Sequence, residues 1–296
     1  MLSKMRGEPR PLVFTQKPRR HPWRHRMTLC IAAGCMDSPL EPRIVACTDS
    51  RVETDSAGAH IALKHDYISD RWQCLLAGDI SKAEDLITTL RAVLDPVELT
   101  AENVFDKINE ASAKHKEKMC KRMIEKRLGI SFQRFLVKGE HELTTEARNR
   151  TLYELEGLTF GCELILFGFI QDQPFPYIFL IEEDGEVSHR QNFGAIGTGS
   201  VVAEASLYQR AQRDMYSVGK TLYNVYEATV LAHKSNAPGV GQARSFFLIA
   251  PTGGDCKISF IKTETFKTLE RYFKKYGPKP VADISRLGAD SFKAVL

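Results

Sequence analysis

The sequence predicts an α+β protein in which two antiparallel sheets lie sandwiched between two helical layers, a four-layer αββα arrangement. Three observations predict it. Strand-like apolar runs come in groups, separated by pairs of helical segments, in the order strands, helices, strands, helices, strands. That grouping favours layered packing over alternating βαβ units. The helical pairs are amphipathic, and each needs an apolar face to cover. The chain has 296 residues, with 43% hydrophobic and 26% charged side chains, an ordinary composition for a globular chain.

Residues 1–26 stand apart. They hold eight Lys/Arg, one Glu and five Pro or Gly, with almost no apolar periodicity. Such a segment is expected to be disordered. It lacks the apolar core of a secretory signal. It reads as upstream sequence before a mis-assigned start, as a cleaved propeptide, or as a basic arm. Residues 27–265 are then the folded domain, and 266–296 a C-terminal helix and tail.

The folded part opens on Thr28–Cys35, an apolar strand. A turn at Asp37–Pro42 leads to a second strand, Arg43–Thr48, and the two read as a hairpin. Asp49-Ser50-Arg51 ends it with polar side chains that can face a cleft. His60–Lys64 with Tyr67-Ile68 suggests another strand and turn, and Trp72–Ala77 a further strand closed by Gly78. Ser81 and Glu84 fit a capping box for a helix whose Ala83, Leu86, Ile87, Leu90, Val93 and Leu94 share one face. Residues 101–128 read as a charged helix, and 129–160 resist assignment. Leu164–Ile170, Tyr177–Ile181 and Glu186–His189 are strands, the last two joined by an Asp184-Gly185 turn. Phe193–Ser200 is a strand end and glycine-rich turn into a helix. It lacks the full G-x-G-x-x-G fingerprint, so no dinucleotide cofactor is expected. A helix over Val218–His233, strands at Phe246–Ala250 and Lys257–Lys262, and a helix at Phe266–Lys275 complete the pattern.

Charge and cysteine usage narrow the function. The net charge of +4 arises in the first 26 residues, which carry +7 and leave −3 for residues 27–296. The folded part therefore gives no electrostatic reason to expect nucleic-acid binding. The Lys/Arg run at 114–127 reads as a solvated helix face. No apolar run reaches the ~18 residues of a membrane-spanning helix. The seven cysteines are scattered and form no C-x-x-C pair. They read as reduced core residues rather than metal ligands, which suggests a cytoplasmic protein.

One dipeptide carries the chemistry. If the chain effectively begins at Met27, removal of that methionine leaves Thr28 first, with a hydroxyl and a free amine on adjacent atoms. An α-amino group has a pKa of about 7.7–8.0, so it is a better base at neutral pH than an unperturbed lysine. A nearby cation lowers the amine's pKa further, a carboxylate keeps that cation charged, and a backbone N–H must face the oxyanion. Lys64, Asp49 and Gly78 are the candidates for these roles. Plainer readings stand beside them: a local Asp49–Arg51 ion pair, a solvated Lys64, and Thr198 as a helix cap.

The motifs also resemble a family in their order. Thr28-Leu29-Cys30-Ile31-Ala32-Ala33 followed by Val45-Ala46-Cys47-Thr48-Asp49-Ser50-Arg51 resembles the opening of a proteasome β-type subunit. His60–Lys64, Leu75–Asp79, the strand pair around Asp184-Gly185, and Ala195-Ile196-Gly197-Thr198-Gly199-Ser200 resemble its later elements, in order over residues 28–262. The resemblance implies an N-terminal-nucleophile hydrolase of αββα fold, in the branch that includes the HslV type. It implies a threonine-type endopeptidase with Thr28 as nucleophile, Lys64 and Asp49 tuning it, and Gly78 supplying the oxyanion N–H. Thr198 stands where the family has Ser and would contact the terminal amine. A peptide or protein substrate, a ring of identical subunits and an optional ATPase partner come with it, and no cofactor, metal, nucleic acid or membrane. Two alternatives remain: a non-catalytic structural subunit, and an amidase acting on a non-peptide amide. The chain departs from the family at Ser235–Gly241, which carries no acid, Ser235 and Asn236 being the partial substitutes. It also departs in the length of the helical region 97–160.

Overall fold

The computed structural model describes residues 29–38, 41–49, 52–53, 58–59, 64–171, 173, 175–235, 244–252, 255–277 and 292–294. Residues 1–28, and with them the basic extension and Thr28, lie outside the described residues, as do 60–63 and 236–243.

The protein is α+β. Its first sheet contains β1 (Cys30–Met36), β2 (Pro42–Asp49), β10 (Phe193–Ile196), β11 (Arg244–Thr252), β12 (Asp255–Ile261) and β13 (Phe292–Ala294), in the order β10-β1-β2-β11-β12-β13. Its second contains β5 (His65–Ser69), β6 (Trp72–Gly78), β7 (Cys162–Phe169), β8 (Pro176–Ile181) and β9 (Val187–His189), in sequence order. A short ribbon pairs β3 (Val52–Glu53) with β4 (Gly58–Ala59). Every strand pair within the sheets is antiparallel.

Alternation along the strands assigns their side chains to three apolar clusters. Ile31, Ala33, Cys35, Val45, Cys47, Phe246 and Leu248 of the first sheet pack with residues of α5 (Ser200–Gln209), α6 (Val218–Lys234) and α7 (Thr263–Tyr276). Cys74, Leu76, Leu164, Leu166, Phe179 and Ile181 of the second sheet pack with α1 (Ile80–Leu94) and α2 (Val104–Leu128). The third cluster draws on both sheets: Cys30, Ala32, Ile44, Ala46, Phe247 and Ile249 meet Leu75, Ala77, Ile165, Phe167, Ile178 and Leu180. Central strands are thus buried on both faces. That is why they read as continuous apolar runs in the sequence instead of alternating ones.

Three local expectations are corrected. The cap of α1 is Asp79, whose carboxylate accepts from the N–H groups of Ser81 (3.0 Å) and Lys82 (3.4 Å). Ser81 therefore lies inside the helix and forms no capping box. The unassigned stretch 129–160 holds two helices, α3 (Phe132–Glu142) and α4 (Thr145–Glu156), capped by Ser131 and Thr144. The region expected to be tail contributes β13, which pairs Phe292–Ala294 with Ser259–Ile261 and covers the edge of the first sheet. No helix among the described residues is long and apolar enough to cross a membrane.

Candidate functional site

The site forms where β1 begins, and Asp49 is its hub. Asp49 closes β2, and the β1–β2 ladder, which pairs Cys30 with Thr48, brings Leu29 beside it. The backbone N–H of Asp49 donates to the Leu29 carbonyl at 3.0 Å. Its carboxylate is shared. Oδ2 accepts from the backbone N–H of Leu29 at 3.1 Å, and Oδ1 from Nζ of Lys64 at 2.5 Å. Asp49 is 2% exposed and Lys64 4%. Burial at this level overturns the reading of Lys64 as a solvated lysine. Burying such a pair is costly unless its charges are matched and hydrogen-bonded, as Asp49 is by the Lys64 ammonium and the Leu29 N–H.

Lys64 is fixed through its backbone as well. Its carbonyl accepts from Leu76 N–H at 3.1 Å, which ties it to β6 of the second sheet. The carbonyl of the same Leu76 accepts from the Cys30 thiol at 3.4 Å. Leu76 therefore joins the start of β1 to the segment carrying Lys64. Burial, reinforced by the Asp49 charge, pushes the Cys30 thiol well above its ordinary value. A thiol so buried disfavours the thiolate that nucleophilic chemistry needs.

Gly78 sits two residues beyond Leu76. Strand N–H groups at i and i+2 point to the same edge, so the Gly78 N–H faces the edge on which Leu76 meets Lys64. The position requires glycine: φ is +98°, and a Cβ would lie 2.7 Å from the Gly161 carbonyl oxygen and 2.8 Å from the Cys162 Cα. Gly78→Ala is expected to destabilise the protein by about 2–4 kcal/mol, a strained φ plus an overpacked backbone contact. Urea unfolding measures it, and a shift under about 0.5 kcal/mol would contradict the geometry.

Thr198 is exposed in the turn between β10 and α5. It does not cap that helix: the N-cap position is Gly199, with no side-chain bond. Ile196 pairs with Cys30, so this turn follows directly from the ladder that flanks β1. Ser235 has a plain structural role at the end of α6, where its hydroxyl donates to the Ala232 carbonyl at 2.8 Å. Asn236 lies outside the described residues.

The structure thus gathers Asp49, Lys64 and the residue after Thr28 into one hydrogen-bonded unit, with Gly78 on a strand tied to Lys64. Sequence reasoning missed two members of the neighbourhood. Leu29 contributes a backbone N–H, which leaves no trace in residue type. Glu163, on β7, accepts from Gly197 N–H at 2.9 Å. Its one available signal was a carboxylate heading the apolar run Leu164–Ile170. All seven cysteines are free, and six are buried. Among the described residues, no group of three or more His, Cys, Asp or Glu is placed to hold a metal ion. A scan against protein-family models finds no match to this chain, and a search among curated proteins finds no significant one.

Proposed function

We propose that this protein is a threonine-type peptidase whose nucleophile is Thr28, exposed by removal of residues 1–27, on an αββα N-terminal-nucleophile scaffold. The mixed cluster of both sheets, with helices against each outer face, supports the four-layer arrangement. The observation that carries the functional reading is the buried Lys64–Asp49 pair bonded to the N–H of Leu29. Leu29 is covalently next to Thr28, and neighbouring α-carbons across a trans peptide are about 3.8 Å apart. The pair is therefore bonded to the residue that follows Thr28 in the chain, which supports this reading.

In this reading the free amine of Thr28 takes the proton of its own hydroxyl, and Oγ attacks the substrate carbonyl. The Lys64 ammonium lowers the amine's affinity for protons and stabilises the alkoxide, while Asp49 keeps Lys64 charged. The Gly78 N–H receives the oxyanion, and the Thr198 hydroxyl contacts the amine. The leaving amine departs with the transferred proton, and water then hydrolyses the acyl ester. While the bond between Met27 and Thr28 is intact, the nitrogen is an amide and the base is missing. A peptide or protein substrate, a ring of identical subunits and an ATPase partner belong to this proposal through the resemblance alone.

N-terminal sequencing and intact mass of protein from its native host test the reading. The mature chain is expected to begin at Thr28 and to gain the mass of one threonine-directed electrophile on its first residue. A hydrolytically active preparation that retains residues 1–27 would sink the mechanism. An inert assembly that retains them would instead indicate a structural subunit.

A further inference from the structure

The structure assigns a positioning role to Glu163, which no motif marked: we propose that its carboxylate holds the Gly197–Gly199 turn, and with it Thr198, against the start of β1. The inference rests on the proposal that Thr28 is the nucleophile.

The placement of Glu163 carries it. On β7, Glu163 is paired with Ala77, the residue before Gly78. Across the gap between the sheets, its Oε2 accepts from the N–H of Gly197, the residue before Thr198. One side chain therefore spans the two strand ends that supply two of the expected site groups. Gly197 has φ +89° and leads into a turn in which Thr198 is exposed; among the described residues, the β1 ladder ends at Ile196. Among the described residues, the Glu163 carboxylate hydrogen-bonds this turn to the opposite sheet. A bond to an ionised acceptor is shorter and stronger than one to a neutral amide, so the hold weakens when Glu163 gains a proton.

The surroundings set when that happens. Burial raises the pKa of Glu163, the Gly197 N–H opposes it, and Glu183 and Glu182 beyond β8 raise it further. Among the described residues, Cys30 on β1 and Cys162 on β7 also interact with it. Near those cysteines stand the Asp49–Lys64 pair, Asp79 at the end of β6 and Lys82 on α1. A raised pKa means that proton uptake begins at higher pH than for an ordinary glutamate. The anchoring charge is fully present above that range and is lost as pH falls through it.

The test uses the mature chain and a threonine-directed electrophile, read as a labelling rate against pH, with amide exchange as a second readout. Glu163→Ala is expected to slow labelling roughly ten- to a hundredfold, the range spanned by a hydrogen bond to a charged group. It should also speed exchange in residues 193–199 while β1 and β2 keep their protection. Glu163→Gln retains an acceptor without the charge. It should label at an intermediate rate and lose the lower acid limb of the wild-type profile. The higher limb, from the Thr28 amine, remains in both. Glu163→Ala with wild-type labelling and wild-type exchange overturns the role of Glu163 alone. A wild-type protein that never labels at Thr28 overturns the nucleophile reading, and with it Glu163's part in that site.

Discussion

Thr28→Ala in the mature chain is expected to reduce peptide hydrolysis and electrophile labelling by roughly 10⁴-fold or more, as loss of a nucleophile does elsewhere. Its unfolding midpoint should match that of the parent. The contacts that organise the site are made by atoms beyond residue 28: the N–H and carbonyl of Leu29, the carboxylate of Asp49 and the ammonium of Lys64. Alanine keeps the terminal amine and removes only the hydroxyl, so base and scaffold survive while the attacking atom is gone. Thr28→Ser, which keeps hydroxyl and amine together, should retain measurable turnover. Undiminished hydrolysis by the alanine variant would place the nucleophile elsewhere in the chain.

The second large effect concerns stability and catalysis together. Lys64→Met strips the cation from a carboxylate that is 2% exposed. Removing its Lys64 partner from this buried carboxylate is expected to cost about 3–5 kcal/mol, far more than the pair contributes over an apolar pair of equal volume. The double variant Lys64→Met with Asp49→Leu should therefore regain most of the lost stability. It should fall short of the parent by about 1–3 kcal/mol, because the buried N–H of Leu29 has lost its acceptor. It should not regain activity, since the cation that tunes the amine is absent in both. Denaturant midpoints of the single and double variants, measured beside electrophile labelling, separate the two contributions. A Lys64→Met protein as stable as the parent would contradict the buried pair, and a double variant that hydrolyses peptide would contradict its catalytic role.

How much could be read beforehand follows from where each signal resides. The central strands were legible because both faces are buried, and runs such as Cys30–Cys35 and Leu164–Ile170 are apolar throughout. The amphipathic helix α1 was legible from its Leu86–Leu90 face. The pair α3 and α4 was not. α3 is a short helix whose apolar face is confined to Phe132, Phe135 and Leu136, and α4 buries only Thr151 among its side chains with a described environment, so neither carries a sustained apolar stripe. The strand β13 is three residues long and is defined by pairing with Ser259–Ile261, a relation that local composition does not encode. Asp49, Lys64 and Gly78 stood out because their residue types suit the proposed chemistry. That Asp49 grips Leu29, and that Glu163 reaches Gly197 from 34 residues away, are tertiary facts carried by strand register and a backbone N–H.

The grip of Asp49 on Leu29 also bears on maturation. The bond to be cut in the proposed activation lies between residues 27 and 28, whereas the anchored nitrogen belongs to the next peptide along, between 28 and 29. Cleavage leaves that anchor untouched. Under the proposed reading, the Asp49–Leu29 bond and the Lys64 pair are the same before and after that cut, so activation would be a local covalent event rather than a refolding step.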